Sequence, residues 1–271
     1  MGSVDEAGIV EARERLSTGI RYSICTLVTK PEQYAEMVAS FRHGGFDGED
    51  CEYIKIDNSQ KNTSDAYQGF NMFLTAARGK YIVVCHQDVF LIDPRERLDE
   101  VLAELDRIDP AWAACGNSGG VSFGALAIRI TDPHGTDRRT WTFPAKVHTL
   151  DENFIVVRRD ANLSVSHDLG GFHLYGTDLC TIADILGRTT YVVDFHVHHL
   201  SPGKRDETLA EARRRMVEKY IRAFRGRWVR SSCELMYFSG LAFVARALST
   251  SWSIRLTNKF RLGARGPKGS R

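Results

Sequence analysis

Three short apolar runs, separated by two helical patterns and followed by a third, constrain this chain more than any other feature. The runs are YSICTLV (22–28), CEYIKI (51–56) and YIVVC (81–85), each rich in residues that suit a buried, pleated surface. After the first, Pro31 can open a helix with Tyr34, Met37, Val38 and Phe41 on one face. The segment from Ser64 to Arg78 is expected to be helical, with Ala66, Phe70, Phe73 and Ala77 inward and Gly79 as its stop. After the third run, Asp93 can cap and Pro94 can start a helix carrying an apolar stripe of Leu98, Val101, Leu102, Leu105 and Ile108. Strands alternating with helices over short connections predict an α/β fold, a mostly parallel open sheet with helices on both faces.

Beyond Pro110 the rhythm changes. ALAIRI, RTWTFPA and FIVVRR look like strands, with turn chemistry at DPHG (132–135), so the second half is expected to be mixed or antiparallel. A helix follows around Thr177–Leu186, then the strand TYVVDF (190–195) and a long helix over about Asp206–Phe224. The expected organisation is an N-terminal helical segment (1–19), one α/β domain (20–205) and a helical, basic C-terminal extension (206–271).

Composition narrows the function classes. A hydrophobic content of 43% and a charged content of 26% fit an ordinary soluble globular protein, and a net charge of +2 argues against a nucleic-acid partner. The opening MGSVDEAGIVEARERL has acids where a secretory signal needs cations, and no run reaches the length of a membrane span. The six scattered cysteines form no CxxC pair and several sit in apolar runs, which predicts buried free thiols and a cytoplasmic setting. Charge is uneven, however. Glu234 is the last acid, and Arg246, Arg255, Lys259, Arg261, Arg265, Lys268 and Arg271 follow it. Such a tail suits peripheral contact with the inner membrane face; plain solvation, or a helix packed on the domain, is the alternative.

The polar residues cluster at strand ends, where open α/β sheets bind ligands. Strand two ends in Asp57-Asn58-Ser59, strand three in His86-Gln87-Asp88, and the late strand runs into DFHVHHLSPGK (194–204), while Thr26–Thr29 flank the first helix start. Each has a plainer account. Asp57-Asn58-Ser59 can be a turn, Asp88 can cap one, and His196 or His198 can be a satisfied core histidine. A histidine and a carboxylate brought together could instead hold Mn²⁺ or Mg²⁺, imidazole shifting the preference toward Mn²⁺. Lys204 and Arg205 could then meet the phosphates of a diphosphate.

These residues carry a resemblance. YIKIDNS, SDAYQGFNMFLTAARGKYIVVCHQDV, TLDENFIVVRR, GGFHLYGTDLC and HHLSPGK stand in the order seen in family 2-type nucleotide-sugar glycosyltransferases. The chain resembles the branch of that family whose metal motif reads His-Gln-Asp-Val, over about residues 20–205. The resemblance implies a GT-A fold and transfer of a sugar from a nucleotide-diphosphate donor to a hydroxyl of a glycan or lipid-linked acceptor, with inversion. It implies Asp88 and His199 as metal ligands, with Asp57 on the nucleoside and Lys204 on the diphosphate. Thr26, Asn58, Asp65, Asn71, His86 and Gln87 complete the implied donor side. Asp178 would be the catalytic base and Asp151 a second candidate acid. YGTD keeps one acid where relatives have two, so Glu152 and Asp168 also stay open. Two further functions are weighed: a metal-dependent hydrolase built on His86, Asp88, His196, His198 and His199, and a non-catalytic nucleotide-sugar-binding protein.

Overall fold

The structure is a computed structural model that describes residues 19–203, 206–231, 234–250, 252 and 255. The expected helix over 1–19 therefore lies outside the described residues save for Gly19, as do Lys204, Arg205 and the basic tail from 256 onward. The chain forms two compact units, Met1–Ala212 and Arg213–Arg271.

The first unit is built on β1 (Tyr22–Val28), β2 (Cys51–Asp57) and β3 (Tyr81–Cys85), joined by α1 (Pro31–His43) and α2 (Ala66–Ala76). β1 lies between β2 and β3 and pairs with both in parallel. All five residues of β3 are buried, as expected for a strand covered on both faces. Its side chains alternate: Ile82 and Val84 enter one apolar cluster, and Tyr81, Val83 and Cys85 enter another.

Each helix follows from its sequence. α1 has Pro31 in its first turn and buries Met37 and Phe41. α2 starts at a capping box in which Asp65 accepts from the Gln68 N–H and Gln68 reaches back, and it buries Tyr67, Phe70 and Phe73. After β4 (Val89–Leu91), α3 (Arg95–Ile108) buries Leu98, Val101, Leu102 and Leu105, while Ile108 is exposed. Asp93 is not its cap; that carboxylate accepts the N–H of His196 instead. α1 and α3 pack on one face of the sheet, and α2 and α4 (Tyr175–Ile185) on the other.

The second half contributes β5 (Trp112–Gly116), β6 (Ser118–Ser122), β7 (Ala125–Thr131), β8 (Asp137–Thr140), β9 (Ala145–Val147), β10 (Thr149–Leu150), β11 (Phe154–Arg158), β12 (Thr189–Val192) and β13 (Val197–His199). The main sheet has the order β2-β1-β3-β11-β5-β12-β9, and a smaller one runs β10-β6-β7-β13-β4 with β8 on β7. β11 enters the main sheet antiparallel to both β3 and β5. RTWTFPA, expected as one strand, divides between the end of β8 and the start of β9. The DPHG turn forms as read, Asp132 accepting the N–H groups of His134 and Thr136. The five described cysteines are free thiols, four of them buried.

α5 (Glu207–Phe224) begins in the first unit's sequence and ends in the second's. The second unit also holds a two-stranded antiparallel ribbon of β14 (Arg227–Arg230) and β15 (Leu235–Phe238), then α6 (Ala242–Leu248). Among the described residues, no helix is long and apolar enough to cross a membrane.

Candidate functional site

β3 and β11 run in opposite directions, so the carboxyl end of one meets the start of the other. Cys85 pairs with Phe154, and one further bond, from the His86 N–H to the Asn153 carbonyl at 3.0 Å, extends the ladder into the loops. This sets His86-Gln87-Asp88 beside Asp151-Glu152-Asn153. The chain then enters β4, whose antiparallel pairing with β13 places His199 opposite Val89.

His86, Asp88 and His199 form one donor set. One ligand atom from each lies within 4.8 Å of the others. His86 Nδ1 is 3.3 Å from His199 Nε2, which is 3.5 Å from Asp88 Oδ1. Ser201 donates its hydroxyl to the other Asp88 oxygen, and the Leu200 N–H bonds the Asp88 carbonyl at 3.1 Å. Burial alone would raise the Asp88 carboxyl, but the bonds from His199 and Ser201 outweigh it and hold the group well below the usual range. Burial and the neighbouring His199 depress His86, favouring its neutral ring. Two imidazoles and a carboxylate kept ionised suit a divalent transition ion better than Mg²⁺.

An acid pair faces this set from the β10–β11 turn. Asp151 accepts from the backbone and side-chain nitrogens of Asn153, at 3.0 and 2.7 Å. Glu152 accepts the Gly176 N–H at 3.3 Å, at the start of α4. Burial, then the charge of Asp151, push the Glu152 carboxyl up to about 8. At Gly176, where the resemblance leads one to expect a second acid, sterics require glycine. A Cβ there would sit 2.3 Å from the Leu150 carbonyl oxygen, so α4 can approach β10 only through a glycine.

Both groups open into one cavity of about 1020 Å³. Lys30 and Gln33 of the α1 start line it, as do Leu126, Ile128 and Ile130, successive outward positions of β7. Of the candidate site residues singled out in the sequence, His86, Gln87, Asp88, Asp151, Glu152 and His199 line this cavity. Gln87 does so as a clamp. Its carbonyl oxygen accepts the Thr29 and Lys30 N–H groups at 2.8 and 2.9 Å, and its nitrogen donates to the Thr29 hydroxyl at 2.8 Å.

The other candidates lie elsewhere. Asp178 is 0% exposed, and its oxygens accept the Ser166 N–H and hydroxyl at 2.7 and 2.9 Å. It is not among the residues lining the cavity. A base needs hydrogen-bond reach to its proton, and of these acids Asp151 and Glu152 line the cavity. Asp57 is exposed at the end of β2 and accepts the Ser59 N–H, the turn reading of that triplet. Asn58 is buried and organises the loop to Ser64; Asp65 caps α2 and takes the Gly171 N–H; Asn71 bridges α2 to both backbone groups of Val165. Thr26 is buried against the Cys85 sulfur. Lys204 lies outside the described residues. His196 is buried against Thr131, apart from the donor set, which removes one histidine from the hydrolase cluster. Tyr175 and Ser201 are not among the site residues singled out in the sequence; their places within YGTD and HHLSPGK are the available signal.

No family model matches the chain. Over 215 residues it is 35% identical to the "ATP synthase subunits region ORF 6" protein of Fuscovulum blasticum, covering 77% of this chain and 86% of that protein. Among solved structures, GalNAc-T7, crystallised with UDP, GalNAc and Mn²⁺, matches with a TM-score of 0.51 and 9% identity over 73% of this chain. The match spans about half of GalNAc-T7, 48% of its chain. S. aureus TarS matches at a TM-score of 0.48 and 13% identity, over 76% of this chain and 44% of TarS. The α/β fold is similar to that of the GT-A glycosyltransferases.

Proposed function

We propose that this chain, which belongs to the family of the Fuscovulum blasticum ORF 6 protein, is a glycosyltransferase that moves a sugar from a nucleotide-diphosphate donor to an acceptor hydroxyl with inversion. One observation carries the reading. At the end of β3, a single cavity brings the His86–Asp88–His199 donor set against the Asp151–Glu152 acid pair. The similarity to the GT-A fold supports it, because that fold is the one the motif order implies.

His86, Asp88 and His199 would hold a divalent ion, Mn²⁺ in preference to Mg²⁺. Such an ion, when bound, neutralises charge on a departing diphosphate. The chain's own residues do the rest. Lys30, which lines the cavity, would meet donor phosphate, and Gln87 keeps its loop in register. Glu152 takes the acceptor hydroxyl proton as that oxygen bonds to the anomeric carbon and the bond from that carbon to the diphosphate breaks. The apolar row Leu126, Ile128 and Ile130 favours an acceptor with an apolar part, as in a lipid-linked glycan.

The test is release of nucleoside diphosphate from a panel of nucleotide-sugars with Mn²⁺, native protein against Asp88→Ala. Cation-dependent release that Asp88→Ala loses supports transfer. Binding without turnover across a range of acceptors sinks it in favour of a binding protein.

A further inference from the structure

The Tyr175 hydroxyl stands between the donor set and the acid pair. It is 3.1 Å from the Glu152 backbone carbonyl and 3.4 Å from His86 Nε2. Its ring is buried and wedged against Phe70 and Tyr67, at centroid distances of 5.7 and 6.3 Å, so the oxygen cannot wander. A phenol has one hydrogen and a carbonyl can only accept, so the hydrogen goes to Glu152. The phenol oxygen then offers a lone pair to His86 Nε2, which is satisfied only if that nitrogen carries a hydrogen. A neutral imidazole carries one hydrogen, leaving Nδ1 with a bare lone pair. Nδ1 is the atom that faces His199 Nε2 at 3.3 Å.

We propose that Tyr175 is a positioning residue that locks His86 in its Nε2–H tautomer and so aims the Nδ1 lone pair at the cation position. The inference rests on the metal reading of the site for its purpose, though not for its geometry. It goes further than that reading in one respect. The phenol ties the tautomer of one ligand to the backbone of Glu152, so the cation donors and the acid are set by one hydrogen-bond chain. A hydrogen bond to the far nitrogen of a ligating histidine fixes ring orientation, and its loss costs about 10- to 100-fold in metal affinity.

Two measurements test this. Nitrogen-15 spectra of histidine-labelled, cation-free protein report the tautomer, with a His86→Asn variant assigning the resonance. Native protein should show protonated Nε2 and bare Nδ1 at His86, and the reverse pattern overturns the proposal without any variant. In Tyr175→Phe, which keeps the ring packing, the His86 signal should move toward a tautomer mixture. Its Mn²⁺ affinity, measured calorimetrically, should fall about tenfold or more. An unchanged tautomer, or an affinity within about twofold of native, well short of that range, overturns it. Native protein that binds no Mn²⁺ sinks the metal reading, and the nitrogen spectrum then decides the role of Tyr175 by itself.

Discussion

Ser166 occupies both carboxylate oxygens of Asp178, one through its backbone N–H and one through its hydroxyl. This pair pins the chain after β11 onto α4. Asp178→Ala leaves the Ser166 N–H and hydroxyl without that acceptor. The expected loss is about 1–3 kcal/mol of stability, the cost of an unpaired buried group. Thermal melts should show it, whereas the kcat of the folded variant should stay within about threefold of native, a shift under 1 kcal/mol. A far larger fall in kcat with no change in melting would return the base role to Asp178.

Glu152 should dominate the pH profile. A base works ionised, and this carboxyl holds its proton up to about 8, so kcat/KM should climb about tenfold per pH unit below that value and level above it. Glu152→Gln should flatten the rise and lower the rate by roughly 10²- to 10⁴-fold. Stability moves oppositely. The unfolded chain releases this proton near pH 4.3, so between about 4.3 and 8 the folded state carries the extra proton. Stability therefore falls as pH rises through that window, and Glu152→Gln should remove the slope, as denaturant titrations at several pH values would show.

Gln87 should matter through a loop. Gln87→Leu frees the Thr29 and Lys30 N–H groups and the Thr29 hydroxyl. Donor affinity should weaken roughly tenfold, about the worth of one or two hydrogen bonds. Gln87→Glu keeps the two accepted bonds and should recover most of it. Equal affinity in native protein and Gln87→Leu, by calorimetry with a non-hydrolysable donor analogue, would contradict the clamp.

Mn²⁺ should stabilise the native fold. At a hundredfold excess over its dissociation constant, a ligand of the folded state adds about 2.7 kcal/mol. For a unit of this size that corresponds to roughly 5–10 °C in Tm. Asp88→Ala and His199→Ala should abolish the shift. A shift that survives both substitutions would place the ion elsewhere.

The alternation and the faces of the helices were legible because period is local: Met37 and Phe41 on α1, and Leu98 to Leu105 on α3, are buried where their spacing puts them. The donor set was half legible, since Asp88 and His199 lie more than a hundred residues apart and meet only through the pairing of β4 with β13. On the donor-side list, Asn58 bonds its own loop, Asp65 caps α2 and Asn71 holds the distant Val165 backbone; the Asp65-x-x-Gln68 capping box is the one of these roles a short stretch shows. Asp178 shares its helical face with Tyr175, three residues before it, and that spacing already pointed inward. Asp57 depended on β2 being an edge strand, and strand order is not a property of any short stretch.

The antiparallel seam between β3 and β11 has a consequence for how such a protein can change. The spacing between His86 and the acid pair is written in ladder bonds, Cys85 opposite Phe154 and His86 bonded to Asn153, rather than in the reach of a flexible loop. Slipping the seam by one residue would turn every side chain of β11 to the opposite face and would not be survived in part. Segments outside the seam, such as the β6–β7 hairpin with Phe123 fully exposed at its tip, are free of that constraint. Insertions there can remodel the cavity mouth while the spacing of the reacting groups is inherited unchanged.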